Sequence, residues 1–67
     1  METFFKATSP DDRWVIQVLV ENDSRFECKV ILDGRHVVEE LNTEDSEEMA
    51  RWAIRQMKEA ARRVKSA

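Results

Sequence analysis

Residues 13–41 read RWVIQVLVENDSRFECKVILDGRHVVEEL, and the period of this stretch decides the fold. Polar and apolar residues alternate through it, the two-residue period of a strand with one buried face. In the first run Trp14, Ile16, Val18 and Val20 point one way, and Arg13, Val15, Gln17, Leu19 and Glu21 the other. In the second, Phe26, Cys28, Val30 and Leu32 share a side opposite Arg25, Glu27, Lys29, Ile31 and Asp33. A loop at Asn22-Asp23-Ser24 sets Glu21 against Arg25. It then pairs Val20 with Phe26, Val18 with Cys28, Ile16 with Val30 and Trp14 with Leu32. A slip of one residue would turn every apolar partner to the wrong face, so the pattern specifies the register.

The stretch continues through Asp33-Gly34, the dipeptide of a two-residue type I′ turn, in which both positions need positive φ. A strand over 36–41 then pairs Val30 with Val37 and Phe26 with Leu41. It also sets Glu39 on the core face beside Cys28, an uncomfortable place for a carboxylate. Upstream, Ser9-Pro10-Asp11-Asp12 is a turn cluster. Before it, residues 3–7, with Phe4 and Phe5, have the composition of a short first strand.

Beyond Leu41 the period changes to that of a helix over about 44–65. Thr43 is the expected N-cap, with Asp45 the alternative. Glu44, Asp45, Glu47 and Glu48 suit the positive end of the helix dipole, and Arg62, Arg63 and Lys65 the negative end. At about 100° per residue, Met49, Ala53, Met57, Ala60 and Val64 fall on one face, flanked by Ala50, Ile54 and Ala61 on one side and Trp52 on the other. Strands followed by one amphipathic helix predict an α+β domain spanning 1–67. Its architecture is a three- or four-stranded antiparallel sheet, with strands at about 3–7, 13–22, 25–33 and 36–41. One C-terminal helix packs across one face.

Sixty-seven residues bury a small core, worth ~3–5 kcal/mol of net stability. Cys28 is the single cysteine, so no intramolecular disulfide can help, and its place in the alternation makes it a core residue. His36 is the single histidine and has no nucleophile beside it, so neither a metal site nor a catalytic centre is expected. The acidic run from Glu39 to Glu48 lacks the glycine and alternating ligands of a calcium loop. No cofactor is expected. The first ten residues do not read as a signal sequence, and no apolar run approaches a membrane span. The expectation is a cytoplasmic, non-enzymatic domain with no membrane partner.

The net charge of −3 is unevenly spread. Residues 1–50 hold five Lys/Arg against thirteen Asp/Glu, whereas 51–67 hold six Lys/Arg and only Glu59. Arg51, Arg55, Lys58, Arg62 and Lys65 recur at helical spacing in one stripe, a ridge for an anion or an acidic partner. It serves equally as a solvated face. Val15, Leu19, Ile31 and Val38 form a second apolar row on the sheet, a candidate interface for a homodimer or another protein unless the N-terminal segment folds over it. Trp52, at the margin of the helix arc, is either a rim-capping core residue or an edge anchor for binding.

Residues 25–60, RFECKVILDGRHVVEELNTEDSEEMARWAIRQMKEA, resemble the later part of a double-stranded RNA-binding domain and the three-strand-plus-helix modules of some phage integrases. The resemblance implies a sheet with a helix across it. It departs from the RNA-binding pattern in the helix's first turn. That family places lysines there, and this chain has Glu44, Asp45, Glu47 and Glu48. The family's first helix has no counterpart either. The leading functional expectation is therefore a small protein-interaction module, an inhibitor or adaptor working through its sheet face or helix. Nucleic-acid binding through the basic ridge is the alternative. A designed chain without biological activity is a third, because the local signals agree so closely.

Overall fold

Four antiparallel strands form one meander sheet in the order β1-β2-β3-β4, and a helix crosses one of its faces. The strands are β1 Glu2–Thr8, β2 Trp14–Glu21, β3 Arg25–Leu32 and β4 His36–Thr43, and the helix is α1 Ser46–Ser66. The structure, a computed structural model, describes residues 1–22 and 24–66, with side chains as far as residue 63. This is the α+β architecture expected from the change of period, with the N-terminal segment as a fourth strand.

The β2–β3 hairpin has the register that its alternation requires. Glu21 faces Arg25, Val20 faces Phe26, Val18 faces Cys28, Ile16 faces Val30 and Trp14 faces Leu32. Ile16, Val18, Phe26, Cys28 and Val30 consequently all lie in the core. Asn22 takes a φ of 52° in the connecting loop, a left-handed conformation that asparagine tolerates.

The β3–β4 register corrects the expectation by two residues. Asp33 and Gly34 do have positive φ, 54° and 79°. The amide of Arg35 closes the turn onto the Leu32 carbonyl at 3.3 Å. However, Arg35 also belongs to the loop, so Leu32 pairs with His36 and Ile31 with Val37. A bulge at Val38 adds the second residue, bringing Val30 against Glu39, Cys28 against Leu41 and Phe26 against Thr43. A shift of two preserves the faces, which is why alternation alone does not detect it. Glu39 therefore stands beside Val30 and not Cys28.

β1 extends the sheet at the β2 edge, with Phe5 opposite Val18 and Ala7 opposite Ile16. A bulge between Thr3 and Phe5 makes Phe4 the extra residue. Two consecutive aromatics can thus serve one face, as a bulge allows. Phe5 packs on the core, and the Phe4 ring meets Phe26 edge-on, 5.5 Å between centroids. Such a pair contributes roughly 0.5–1.5 kcal/mol beyond burial. The N-terminal segment therefore turns its aromatics toward the helix and does not cover the outer face.

The helix starts one residue after its cap. Asp45, the alternative, is the N-cap: its Oδ1 accepts from the amides of Glu47 at 2.9 Å and Glu48 at 3.3 Å. Thr43 ends β4 and is buried, its Oγ1 accepting from the Asp45 amide at 3.0 Å. The buried arc is also rotated from the expected one. Met49, Trp52, Ala53 and Gln56 are buried, while Met57 is 46% and Ile54 54% exposed. Trp52 is thus a core residue, 4% exposed, and is not available as an edge anchor. The side chain of Val64 lies outside the described residues.

Candidate functional site

The rotation of α1 leaves part of the sheet bare. The helix packs over β2, β3 and β4, and β1 stands outside its footprint. Between them opens an apolar groove of about 370 Å³. Its floor is Ala7, Trp14 and Ile16, its far wall runs through Thr8, Ser9 and Pro10, and its near wall is Met57, Ala60 and Ala61. Each lining residue is there for a local reason. Ala7 pairs with Ile16 and so faces the helix side. Met57 and Ala61, four apart, share one flank of α1 and look toward β1. The small side chains of Ala7, Ala60 and Ala61 leave the space that a larger residue would fill.

Hydrogen bonds hold the turn that forms the far wall. The Ser9 amide donates to the Trp14 carbonyl at 2.9 Å, and the Trp14 amide returns a bond to Ser9 Oγ at 3.0 Å. The Asp12 amide reaches the Ser9 carbonyl at 2.9 Å. Asp11 accepts from the Ser9 hydroxyl and from the Arg13 amide, and these bonds hold its carboxyl below the ordinary value. Arg13 then makes a forked pair with Asp33, at 3.0 and 3.3 Å, which lowers the Asp33 carboxyl. The Asp33 amide closes the link by donating to the Arg13 carbonyl at 2.8 Å. The far wall is thus fixed before anything binds, which reduces the ordering cost of binding. Arg63 lays its guanidinium over the Trp14 ring, 4.3 Å from the centroid.

The surfaces expected from sequence are placed as follows. Arg51, Arg55, Lys58 and Arg62 do form one exposed stripe of α1. Two of them are engaged within the helix: Arg51 pairs with Glu47 at 3.7 Å and Arg62 with Glu59 at 3.2 Å. Lys65, the fifth member, falls outside the described side chains. On the outer sheet face Val15 and Ile31 are adjacent across β2 and β3. The extra loop residue Arg35 makes Val37, and not Val38, the next residue in that row, and the bulge leaves Val38 unpaired. Leu19 stands apart, between Thr3 and Glu27. A polar row of Lys6, Gln17, Lys29 and Glu40 separates it from Val15. The outer face is therefore mixed, and its apolar part is one short row.

Cys28 is fully buried, and burial pushes its thiol up, away from the reactive thiolate. Among the described residues no three His, Cys, Asp or Glu side chains group as a metal site. No described helix is long and apolar enough to cross a membrane.

The groove has no sequence signal of its own. Of its near wall, Met57 and Ala60 were read as part of the buried helix arc and Ala61 as its flank, and their exposure depends on where α1 sits on the sheet. Comparisons with models of known protein families, with curated proteins and with solved structures find no match.

Proposed function

We propose that this chain is a non-enzymatic protein-interaction module whose binding site is the groove between β1 and α1. One observation carries the reading: a preformed apolar groove, open to solvent, is lined by the exposed Met57, and helical spacing puts the exposed Ile54 on the same flank of α1. Contiguous exposed apolar surface of this kind marks binding sites on small domains. A small-molecule site of similar volume would add a few convergent polar groups to orient its ligand. Here the Ser9 hydroxyl is already used by Trp14 and Asp11, and Thr8 faces the outer side with Val15. A protein side chain needs no such orientation.

The basic ridge is the weaker alternative as a nucleic-acid site. Glu47 and Glu48 make the first turn of α1 acidic. Phosphate is repelled at that end.

Selection from an unbiased displayed-peptide library tests the reading. Ligands selected on the native domain are rescreened on a Met57→Asp/Ala61→Asp variant, whose changes fall on exposed positions, and on Val37→Asp at the outer face. The reading expects loss of binding on the first variant and retention on the second. The opposite pattern would move the site to the outer face.

A further inference from the structure

The groove continues along α1 as a seam. Ala50, Ile54, Met57 and Ala61 follow one another at spacings of four, three and four residues. This is the recurrence of the inner positions of a two-helix coiled coil. All four are exposed. Two of them, Met57 and Ala61, line the groove. Helical geometry places Ala50 and Ile54 on the same flank, further toward the N-terminus of α1. The alanines at either end let a partner backbone approach closely, and the central Ile54 and Met57 supply the knobs. A helix lying beside α1 over β1 would complete the second layer that α1 alone leaves unfinished.

The charge around this seam selects among partners. On its solvent side the next residues around the helix are Glu47 at the N-terminal end, then Lys58 and Arg51, followed by Arg62 and Arg55. Glu47 pairs with Arg51 at 3.7 Å with both side chains well exposed, a weak solvent-screened contact that leaves Arg51 open to a partner's carboxylate. Asp11, near the groove's far wall, is already held by Ser9 and Arg13. On the core side of the seam come Ala53 and Ala60, which are apolar. A second copy of α1, docked antiparallel, would set Arg51 of each copy near Lys58 of the other, and like charges at such flanking positions disfavour pairing.

Resting on the reading of the groove as a protein-binding site, we infer that its occupant is an acidic amphipathic helix of a partner protein. That helix lies alongside α1 with its apolar stripe on Ala50, Ile54, Met57 and Ala61 and its carboxylates against Arg51 and Lys58. The mode is helix-in-groove recognition, and the basic rim accelerates and orients the encounter.

Two displayed libraries of helical peptides, about five turns long, test the inference. Both randomise the seam-facing positions; one carries Glu at the flanking positions and the other Lys. The inference expects ligands from the Glu library alone. Their affinity should fall at least tenfold on Ile54→Asp, and added salt should weaken them. The Arg51→Glu/Lys58→Glu variant should reverse the preference toward Lys-flanked peptides. Circular dichroism of each variant separates lost binding from lost folding, and all three substituted side chains are exposed. Groove ligands with equal preference for Glu and Lys flanks would overturn the acidic partner while leaving the groove as a site. No groove ligand from either library, or from an unbiased one, would overturn the site itself. A stable dimer of the free domain that Ile54→Asp dissociates would give the seam to a second copy and overturn the inference.

Discussion

Gln56 donates from Nε2 to Oε2 of Glu39, and this contact ties the buried face of α1 to the inner side of β4. Gln56 is 3% exposed and its Oε1 has no hydrogen-bond partner. Glu39 lies at the sheet edge and is exposed. The pair therefore places a half-satisfied amide in the core of a small domain, and the arrangement fixes where α1 sits at the cost of an orphaned carbonyl.

Gln56→Met keeps the length of the side chain and removes both amide atoms. The lost hydrogen bond is offset because the unsatisfied oxygen disappears and Glu39 returns to water. The expected result is unchanged stability or a gain of up to about 1 kcal/mol in urea unfolding. A loss above about 2 kcal/mol would show that the amide is better satisfied than its geometry indicates.

Gly34 separates sterics from backbone strain. A Cβ added there would meet nothing within 4 Å, yet φ is +79°. Gly34→Ala should therefore cost about 1 kcal/mol through conformation alone. Gly34→Asn should cost less, because asparagine tolerates the left-handed region. Denaturant midpoints of the two variants give the comparison; equal costs for both would contradict it.

The Arg13–Asp33 fork predicts an acid-side signature. Hydrogen bonding from Arg13 holds the folded Asp33 carboxyl below its ordinary value of 3.8. A carboxyl with a depressed folded pKa stabilises the fold above its unfolded value, and that contribution is lost as pH falls through the folded one. Asp33→Asn keeps a residue that accepts the φ of 54°. It should be less stable than the native chain at neutral pH. The gap should close as the solution is acidified below the ordinary carboxylate range. Both groups are exposed, so high salt should narrow the gap as well. A gap that persists at low pH would assign the effect to something other than the charge.

Cys28 should be silent in the folded state. It is 0% exposed, and burial raises its thiol pKa. Labelling by a thiol reagent must wait for the fold to open. With an opening free energy of ~3 kcal/mol, the native rate should fall about a hundredfold below that of the urea-unfolded chain. A native rate close to the unfolded one would mean that β3 opens locally.

How much of this was legible in the sequence depends on whether alternation alone decided it. The β2–β3 pairing was, because a one-residue slip is fatal and Glu21 and Arg25 close the loop. The β3–β4 pairing was not. A two-residue shift keeps Leu41 inside, and it takes the bulge at Val38 and the extra loop residue Arg35 to produce it. Glu39 looked like an error beside Cys28 because its partner, Gln56, is on an element whose rotation no local pattern sets. The face taken by Phe4 and Phe5 within their expected strand was not legible for a similar reason. Consecutive aromatics on one face require a bulge, and bulges carry no strong composition signal.

The groove was the least legible feature. Met57 was assigned to the buried arc and Trp52 to its margin, and the helix is rotated so that these places are exchanged. A helix with a wide apolar arc can settle at several rotations, and the choice is made by the fit of Trp52 and Gln56 against the sheet. What remains outside, Ile54 and Met57, is the surface that the proposed partner uses. Four members of the expected ridge, Arg51, Arg55, Lys58 and Arg62, are exposed on α1 and border the surface of the proposed partner, and the fifth, Lys65, lies outside the described side chains.

The most direct test of the groove as the binding site is an amide chemical-shift map of the native domain titrated with its best selected peptide. The account predicts perturbations concentrated at Ala7, Thr8, Ile54, Met57 and Ala61, with smaller ones at Arg51 and Lys58. Perturbations concentrated at Val15, Ile31 and Val37, with the helix flank unmoved, would contradict it and give the binding function to the outer face of the sheet.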